Sequence, residues 1–184
     1  SLVGSEMCIR DSPYIDEEGR INNNLVVGHL KNFGDYLFLA QWGDFLAYNG
    51  KYWQKVKKSI FANRVRLLTK DNLSTNIMKE IIEQFKLDIE YPLEELSPPN
   101  PRYLNLENGI LDLETQRLLP HDKLKHFTSI IPVKFTPGAN CEKWKGFLTE
   151  ITKGSVELQI FLQELFGYCL TRDNKHQVFF ILLG

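Results

Sequence analysis

The sequence predicts an α+β fold made of short strands and separate amphipathic helices. Two aromatic-rich runs flank Asn49-Gly50, a dipeptide that favours a β-hairpin because a type I′ turn needs positive φ at both central residues. Apolar residues recur at helical spacing from Ile77 to Phe85. Between residues 103 and 119, short alternating segments are separated by turn residues, as in small antiparallel strands.

The composition restricts the classes of protein to which the chain can belong. The 184 residues are 43% hydrophobic, which provides apolar material for one or two small domains. The formal net charge is −1, so nucleic-acid binding would have to depend on a local basic patch. We find neither a run of about eighteen apolar residues nor a signal-peptide pattern. We therefore expect no membrane segment and, by default, a cytoplasmic location.

The residue types that build metal and catalytic sites are scattered along the sequence. The four histidines show no HExxH or HxxxH spacing, and the three cysteines form no CxxC pair. The spacing supports no Ser/His/Asp or Cys/His arrangement either. We therefore predict no metal site and no catalytic residue in this sequence.

The first forty residues contain one segment that we set aside and two predicted elements. Residues 1–12, SLVGSEMCIRDS, do not begin with Met and share no periodicity with the rest of the chain, so we expect a non-native leader. Residues 25–30 suit a short helix, and residues 36–40 alternate as a strand would. The hairpin over residues 45–56 comes next.

The hairpin and the segment after it contain the candidate nucleic-acid contacts. Its aromatic residues could stack on bases or form cross-strand packing pairs; they are Tyr48, Tyr52 and Trp53. Every charged residue from Lys51 to Lys70 is basic, whereas acidic residues dominate from residue 71 to residue 95. The basic segment could contact phosphate, pair with an acidic surface or remain a solvated face. The candidate phosphate contacts are Lys57, Lys58, Arg64 and Arg66.

A capped helix and a proline-dense boundary follow the basic segment. Ser74 can act as the N-cap of a helix over residues 75–87, whose apolar stripe we assign to a core. The chain then passes through Ser97-Pro98-Pro99-Asn100-Pro101, which is the best internal boundary. Beyond it we predict short strands over residues 104–106 and 110–113, and an edge strand over residues 127–135 that Pro132 interrupts.

Two further helices and a final strand complete the predicted elements. Asn140 can cap a helix that ends near Gly154, and Ser155 can cap a second helix that packs against the first. The second helix would use Ile160, Phe161 and Leu165 on its packing face.

Residues 178–183 are continuously apolar, as in a strand buried on both faces of a sheet, and Gly184 closes them. Gly184 could be the first glycine of a G-x-x-x-x-G-K-[ST] phosphate-binding loop. The same residues would also suit any core strand that ends at a turn.

The order of these segments resembles a known family. The stretches LNLENGILDLETQRLLPHD, FTSIIPVKF, CEKWKGFLTEI, LQELFGYCLT and FFILLG occur in this order, and FLAYNGKYWQKV lies upstream. They are similar to the region before the helicase core in phage and plasmid primase–helicases, the family that includes the poxvirus-type replicative NTPase. The resemblance covers roughly residues 45–184.

The resemblance implies a function for the parent protein. It implies a superfamily 3 helicase that unwinds duplex DNA, binds ATP and Mg²⁺, assembles as a homo-hexamer and acts in the host cell of a phage, plasmid or virus. Only Gly184 would belong to a cofactor-binding motif, so we expect no ATP hydrolysis by this chain alone. The alternative is a non-catalytic DNA-binding or oligomerisation module, or a P-loop ATPase of unrelated function.

The resemblance also suggests a division of the chain. After the leader, we expect an N-terminal hairpin-plus-helix unit over residues 13–97 and a pre-helicase α+β region over residues 98–175. Residues 176–184 would be the first strand of an ATPase domain whose remainder lies outside the sequence. In the parent gene, a G-K-[ST] a few residues after Gly184 would select the motor, and a stop or a linker would select the module.

Overall fold

The computed structural model of the chain describes residues 13–70, 73–96, 100–171 and 177–181. These residues form two compact units: the first comprises residues 13–49 and 53–96, and the second comprises residues 50–52 together with the described residues from 100 onward. Both units combine helices with a three-stranded antiparallel sheet. The α+β class predicted from the sequence is therefore confirmed.

The first unit begins with a helix and a small sheet. Helix α1 (Asn23–Asn32) precedes strands β1 (Tyr36–Leu39), β2 (Asp44–Tyr48) and β3 (Trp53–Val56), which pair in the order β1-β2-β3. The predicted hairpin is present, with Tyr48 opposite Trp53. Its connection has four residues, and among them only Gly50 has a positive φ, so the turn is not the two-residue type I′ turn that Asn-Gly favours.

Two helices complete the first unit. They are α2 (Lys58–Thr69), which the sequence analysis did not predict as a helix, and α3 (Thr75–Asp88). Helix α3 begins where Ser74 accepts a hydrogen bond from the backbone N–H of Ile77, so the predicted cap is confirmed. Residues from α1, α2, α3 and one face of the sheet share a buried core; they are Val26, Val27, Leu30, Phe38, Phe45, Phe61, Val65, Ile81, Ile82 and Phe85.

The opposite face of this sheet carries a smaller cluster of Leu39, Leu46 and Trp53. Residues 89–91 run beside β1, because the N–H of Phe38 donates to the carbonyl of Ile89 and the N–H of Tyr91 donates to the carbonyl of Phe38. The chain therefore covers the open edge of β1, where unpaired backbone groups would otherwise be exposed.

The second unit contains a three-stranded meander. Strands β4 (Tyr103–Leu106), β5 (Gly109–Asp112) and β6 (Arg117–Leu119) pair in sequence order, which confirms the predicted short strands and adds β6. Gly109 has φ +149°, and a Cβ atom placed there would lie 2.5 Å from the carbonyl oxygen of Leu119. The close approach of β5 and β6 therefore requires glycine at this position.

Residues 127–135 do not form the edge strand that the sequence predicts. They meet β4 through a single parallel bridge between Leu106 and Ile131, supported by a hydrogen bond from the N–H of Glu107 to the carbonyl of Val133. A continuous ladder does not form here because Pro132 has no N–H to donate.

Two helices, α4 (Glu142–Ile151) and α5 (Val156–Leu170), follow the meander. The N-cap of α4 is Cys141 without a side-chain bond, so the predicted cap at Asn140 is wrong: its amide donates to the carboxylate of Glu142 instead. The predicted cap at Ser155 is confirmed, since its hydroxyl accepts from the N–H of Leu158.

The helix pair buries fewer of its apolar side chains than the sequence suggests. Leu148 and Leu165 are buried, and the Trp144 and Phe166 rings meet edge-on with centroids 5.5 Å apart. Ile160 and Phe161, which the sequence assigned to a packing face, are half exposed. Helical spacing identified an apolar face correctly, but the described residues do not cover that face.

The predicted terminal strand is not formed by the residues that the structure describes at this end. Residues 177–181 are exposed and outside any strand, although the Phe180 ring lies 6.3 Å from that of Tyr168. A strand needs neighbouring strands for its N–H and C=O groups, and none in the described chain pairs with this segment. Gly184, the predicted phosphate-loop glycine, lies outside the described residues.

Candidate nucleic-acid interface

Helix α2 carries most of the basic segment that the sequence analysis identified. It contains no acidic residue, and its buried face consists of Phe61, Val65 and Thr69, which pack towards the core of the first unit. The N-cap, Lys57, makes no side-chain cap bond. Because the usual local start signals are absent, tertiary packing and not capping stabilises this helix.

The structure separates the four candidate phosphate contacts. Lys58 lies 3.7 Å from the carboxylate of Glu83 on α3, which also binds Lys86 at 2.7 Å. Hydrogen bonds from Lys86, together with the charges of Lys86 and Lys58, lower the pKa of Glu83 below its ordinary value. Glu83 therefore stays ionised and partly offsets the charge of Lys58.

Arg64 takes a different position from the other three candidates. Its guanidinium lies over the Phe33 ring, 4.8 Å from the centroid, and donates a hydrogen bond to the Tyr36 hydroxyl. Stacking on one ring and bonding to another fix the plane of the guanidinium. Arg64 is therefore preorganised at the junction of α1, β1 and α2.

Arg66 occupies the outward face of α2. Residues 64 and 66 lie about 200° apart around a helix, so Arg66 cannot share the site of Arg64. The side chains of Lys57 and Arg66 are exposed and make no ion pair or hydrogen bond within the residues that the structure describes. Of the four candidates, these two are the most available to an external phosphate.

Polar residues that the sequence analysis did not single out extend the face that carries Arg66. Spacings of four and three place Ser59, Asn63 and Arg66 on one side of α2, and the C-cap Lys70 follows them. We call these four residues the outward stripe. All four are exposed, and Ser59 and Arg66 lie about 10 Å apart along the helix axis. Lys, Arg, Ser and Asn are side chains that commonly contact nucleic-acid phosphates. A search for i, i+4, i+7 polar spacing would have found this stripe.

A row of rings borders the other side of α2. The Tyr14 and His29 rings lie 5.5 Å apart, His29 and Phe33 lie 5.2 Å apart, and Arg64 covers Phe33. We call the rings of Tyr14, His29, Phe33 and Tyr36, together with the guanidinium of Arg64, the aromatic row. Within the row, the His29–Phe33 pair has the local i, i+4 spacing of α1 and its C-cap, whereas Tyr14 and Arg64 come from other parts of the first unit, so no local pattern indicates the row as a whole.

A cleft of about 760 Å³ adjoins this row in the first unit. Its lining includes Tyr14, His29, Lys31, Gln84 and Asp88. Lys31 lies 3.1 Å from Asp88, so this pair is locally neutral. The size of the cleft is that of a small-ligand pocket.

The hairpin aromatics that could have stacked on bases are partly used inside the protein. Trp53 is buried, and its ring lies 5.6 Å from that of Tyr48 on the neighbouring strand. This is the cross-strand packing alternative that the sequence analysis left open.

The second unit has a polar cluster of its own. Arg102 donates hydrogen bonds to both carboxylate oxygens of Asp112, at 2.7 and 2.5 Å, and also pairs with Glu114. The hydrogen bonds from Arg102 hold the pKa of the buried Asp112 well below its ordinary range. Asp112 also accepts from the N–H of Glu114, so the cluster ties β4 to the β5–β6 turn.

The described residues contain no candidate for a metal site or for a membrane-spanning helix. Among them, no group of three or more His, Cys, Asp or Glu side chains lies close enough to hold a metal ion. No described helix is long and apolar enough to cross a bilayer.

Comparison with protein families identifies the chain. The profile of the family described as "D5 N terminal like" matches residues 30–153. The chain belongs to this family. D5 N-terminal-like domains form the N-terminal region of primase–helicases of phage, plasmid and poxvirus type, so the family predicted from the sequence is confirmed. A search of curated proteins found no significant match.

The family match includes the whole of the candidate interface except Tyr14 and His29. Residues 30–153 extend from the end of α1 through α2 and α3 to α4. The domain is therefore the N-terminal region of a primase–helicase-type protein, and this family suggests an interaction with DNA.

Proposed function

We propose that this chain is the N-terminal part of an ATP-driven replicative DNA helicase and that it contacts the DNA backbone through α2. The observation that supports the contact is a family domain of primase–helicases whose second helix has no acidic residue and presents the outward stripe to solvent. Lys57 and Arg66 are the principal cations of this contact, and Ser59 and Asn63 donate hydrogen bonds to phosphate oxygens.

The charges along the stripe favour an anionic ligand. Arg66 is exposed, and no acidic residue of α2 offsets its positive charge. Two acidic side chains of α3 are already paired: Glu83 with Lys86 and Lys58, and Asp88 with Lys31.

Salt dependence tests this contact. Each cation that neutralises a phosphate contributes about 0.7 to the slope of log affinity against log salt for single strands, and about 0.9 for duplexes. The double variant Lys57→Gln/Arg66→Gln should therefore reduce the slope by about 1.4 on a single strand. Lys79→Gln, on the exposed side of the acidic helix α3, makes the same type of charge change and should leave the slope unchanged. Equal effects of the two changes would refute the contact.

The motor function is proposed for the parent protein. In it, Gly184 would open the phosphate-binding loop, ATP and Mg²⁺ would be bound by residues beyond this sequence, and six copies would surround the DNA. The described residues supply no step of ATP hydrolysis in this proposal. Reading the parent gene past Gly184 tests it: a Gly-Lys-Ser/Thr completing the loop supports the motor, and its absence leaves the non-catalytic DNA-binding or oligomerisation module.

A further inference from the structure

We infer that the aromatic row binds an unpaired base, so that the preferred ligand of this domain is single-stranded DNA. The inference rests on the proposed DNA contact and specifies its substrate class. It concerns the side of α2 that Arg64 occupies, away from the outward stripe.

Phe33 is the central residue of this site. It is the C-cap of α1, and its side chain is 47% exposed even though Arg64 covers it and His29 lies beside it. A large ring held at a helix end by two neighbours, and still half exposed, is prepared to stack on another flat group. Bases stack on aromatic rings in this way when they are unpaired, whereas the bases of a duplex are already stacked on each other.

The groups around Phe33 match the remaining parts of a nucleotide. Arg64 uses one hydrogen bond for Tyr36, and a guanidinium has five N–H donors, so others remain for a phosphate. Beyond His29 lies the cleft of about 760 Å³, in which the Lys31–Asp88 pair leaves little net charge. A neutral base suits this cleft better than a phosphate does. The row therefore offers a stacking surface, a cation and a space for a neighbouring base.

The test combines two changes: removal of the Phe33 ring from the protein and removal of the bases from the DNA strand. Binding of a 20-nucleotide thymidine strand, and of a strand of equal length without bases, is measured by fluorescence anisotropy on the full chain. Stacking predicts that the wild type binds the base-free strand about five-fold or more weakly than the thymidine strand. Phe33→Leu should lose this difference, because it keeps an apolar side chain under Arg64 but removes the ring. Phe33→Tyr should retain it.

Two controls separate this inference from the proposed backbone contact. Trp42→Leu removes another exposed aromatic ring of the first unit and should leave binding unchanged. A 20-base-pair duplex should bind wild type and Phe33→Leu equally. If Phe33→Leu keeps the full preference for the strand with bases, the stacking site is wrong, even if Lys57→Gln/Arg66→Gln still lowers the salt slope. If the wild type binds no strand at all, both proposals are wrong.

Discussion

The two units of the chain differ in how completely they bury their apolar residues. In the first, helices α1, α2 and α3 and the sheet share one core, where Phe61 and Phe85 are fully buried. In the second, α5 buries Leu165 and leaves Phe161 51% exposed. Burial of apolar surface is the main favourable contribution to folding. The first unit is thus stabilised mainly by its core, and α5 is held by few contacts within the described residues.

Truncating one phenylalanine in each unit should give the largest difference in the free energy of unfolding. Phe61→Ala removes a fully buried ring and should destabilise the first unit by about 3–5 kcal/mol. Phe161→Ala removes a half-exposed ring and should lower stability by less than about 1 kcal/mol. Urea unfolding followed by circular dichroism measures both values. Equal losses would show that Phe161 is covered in solution and would contradict the contrast.

Acid should affect the second unit through Asp112. Because hydrogen bonds from Arg102 lower the pKa of this carboxylate in the folded state, its contribution is complete above the unfolded pKa of about 3.9 and is lost as the pH falls towards the folded pKa. The urea midpoint of the wild type should therefore fall between about pH 5 and pH 2.

Asp112→Asn should lower that midpoint at neutral pH and reduce its dependence on acid. Glu114→Gln, which removes the exposed partner of the same arginine, is the matched control and should change both quantities much less. If the two variants have the same pH profile, the bond between Arg102 and Asp112 does not carry the effect.

The smallest effects concern two serine caps in equivalent positions. Ser74 and Ser155 each accept a hydrogen bond from the N–H three residues later, so Ser→Ala at either should cost about 1 kcal/mol. In Ser74→Ala the loss should appear in global unfolding, because α3 supplies Ile81 and Phe85 to the core. In Ser155→Ala it should appear as faster amide exchange in the first turn of α5. Ser→Asp variants, which restore an acceptor, should reverse both effects.

The sequence predicted the features that depend on neighbouring residues. The caps of α3 and α5 require only a hydroxyl three residues before an N–H, and the spacing from Ile77 to Phe85 marks one helix face. Helix α2 was not predicted because its N-cap, Lys57, makes no side-chain cap bond and its first turn contains no acidic residue. The turn type at Asn49-Gly50 was wrong, since the register of β2 and β3 decides the loop length.

The features that the sequence did not predict arise from tertiary packing. Arg64 meets Phe33 and Tyr36 across three elements, and no local pattern indicates this. No local pattern indicates the ion pair between Lys58 and Glu83 either. Because of this pair, the cations of the basic segment are not equally accessible to an external ligand. The charge pattern therefore marked the basic segment but could not show which of its residues are paired within the protein and which are exposed.

Side-chain footprinting with hydroxyl radicals tests the central claim, that the first unit is the DNA-binding surface, most directly. Phe33 in the first unit and Phe147 in the second are exposed to almost the same extent, 47% and 48%, and both are phenylalanines. Saturating single-stranded DNA should strongly reduce the oxidation of Phe33 and leave that of Phe147 unchanged. Protection of Phe147 with no change at Phe33 would contradict the claim and place the DNA on the helix pair of the second unit.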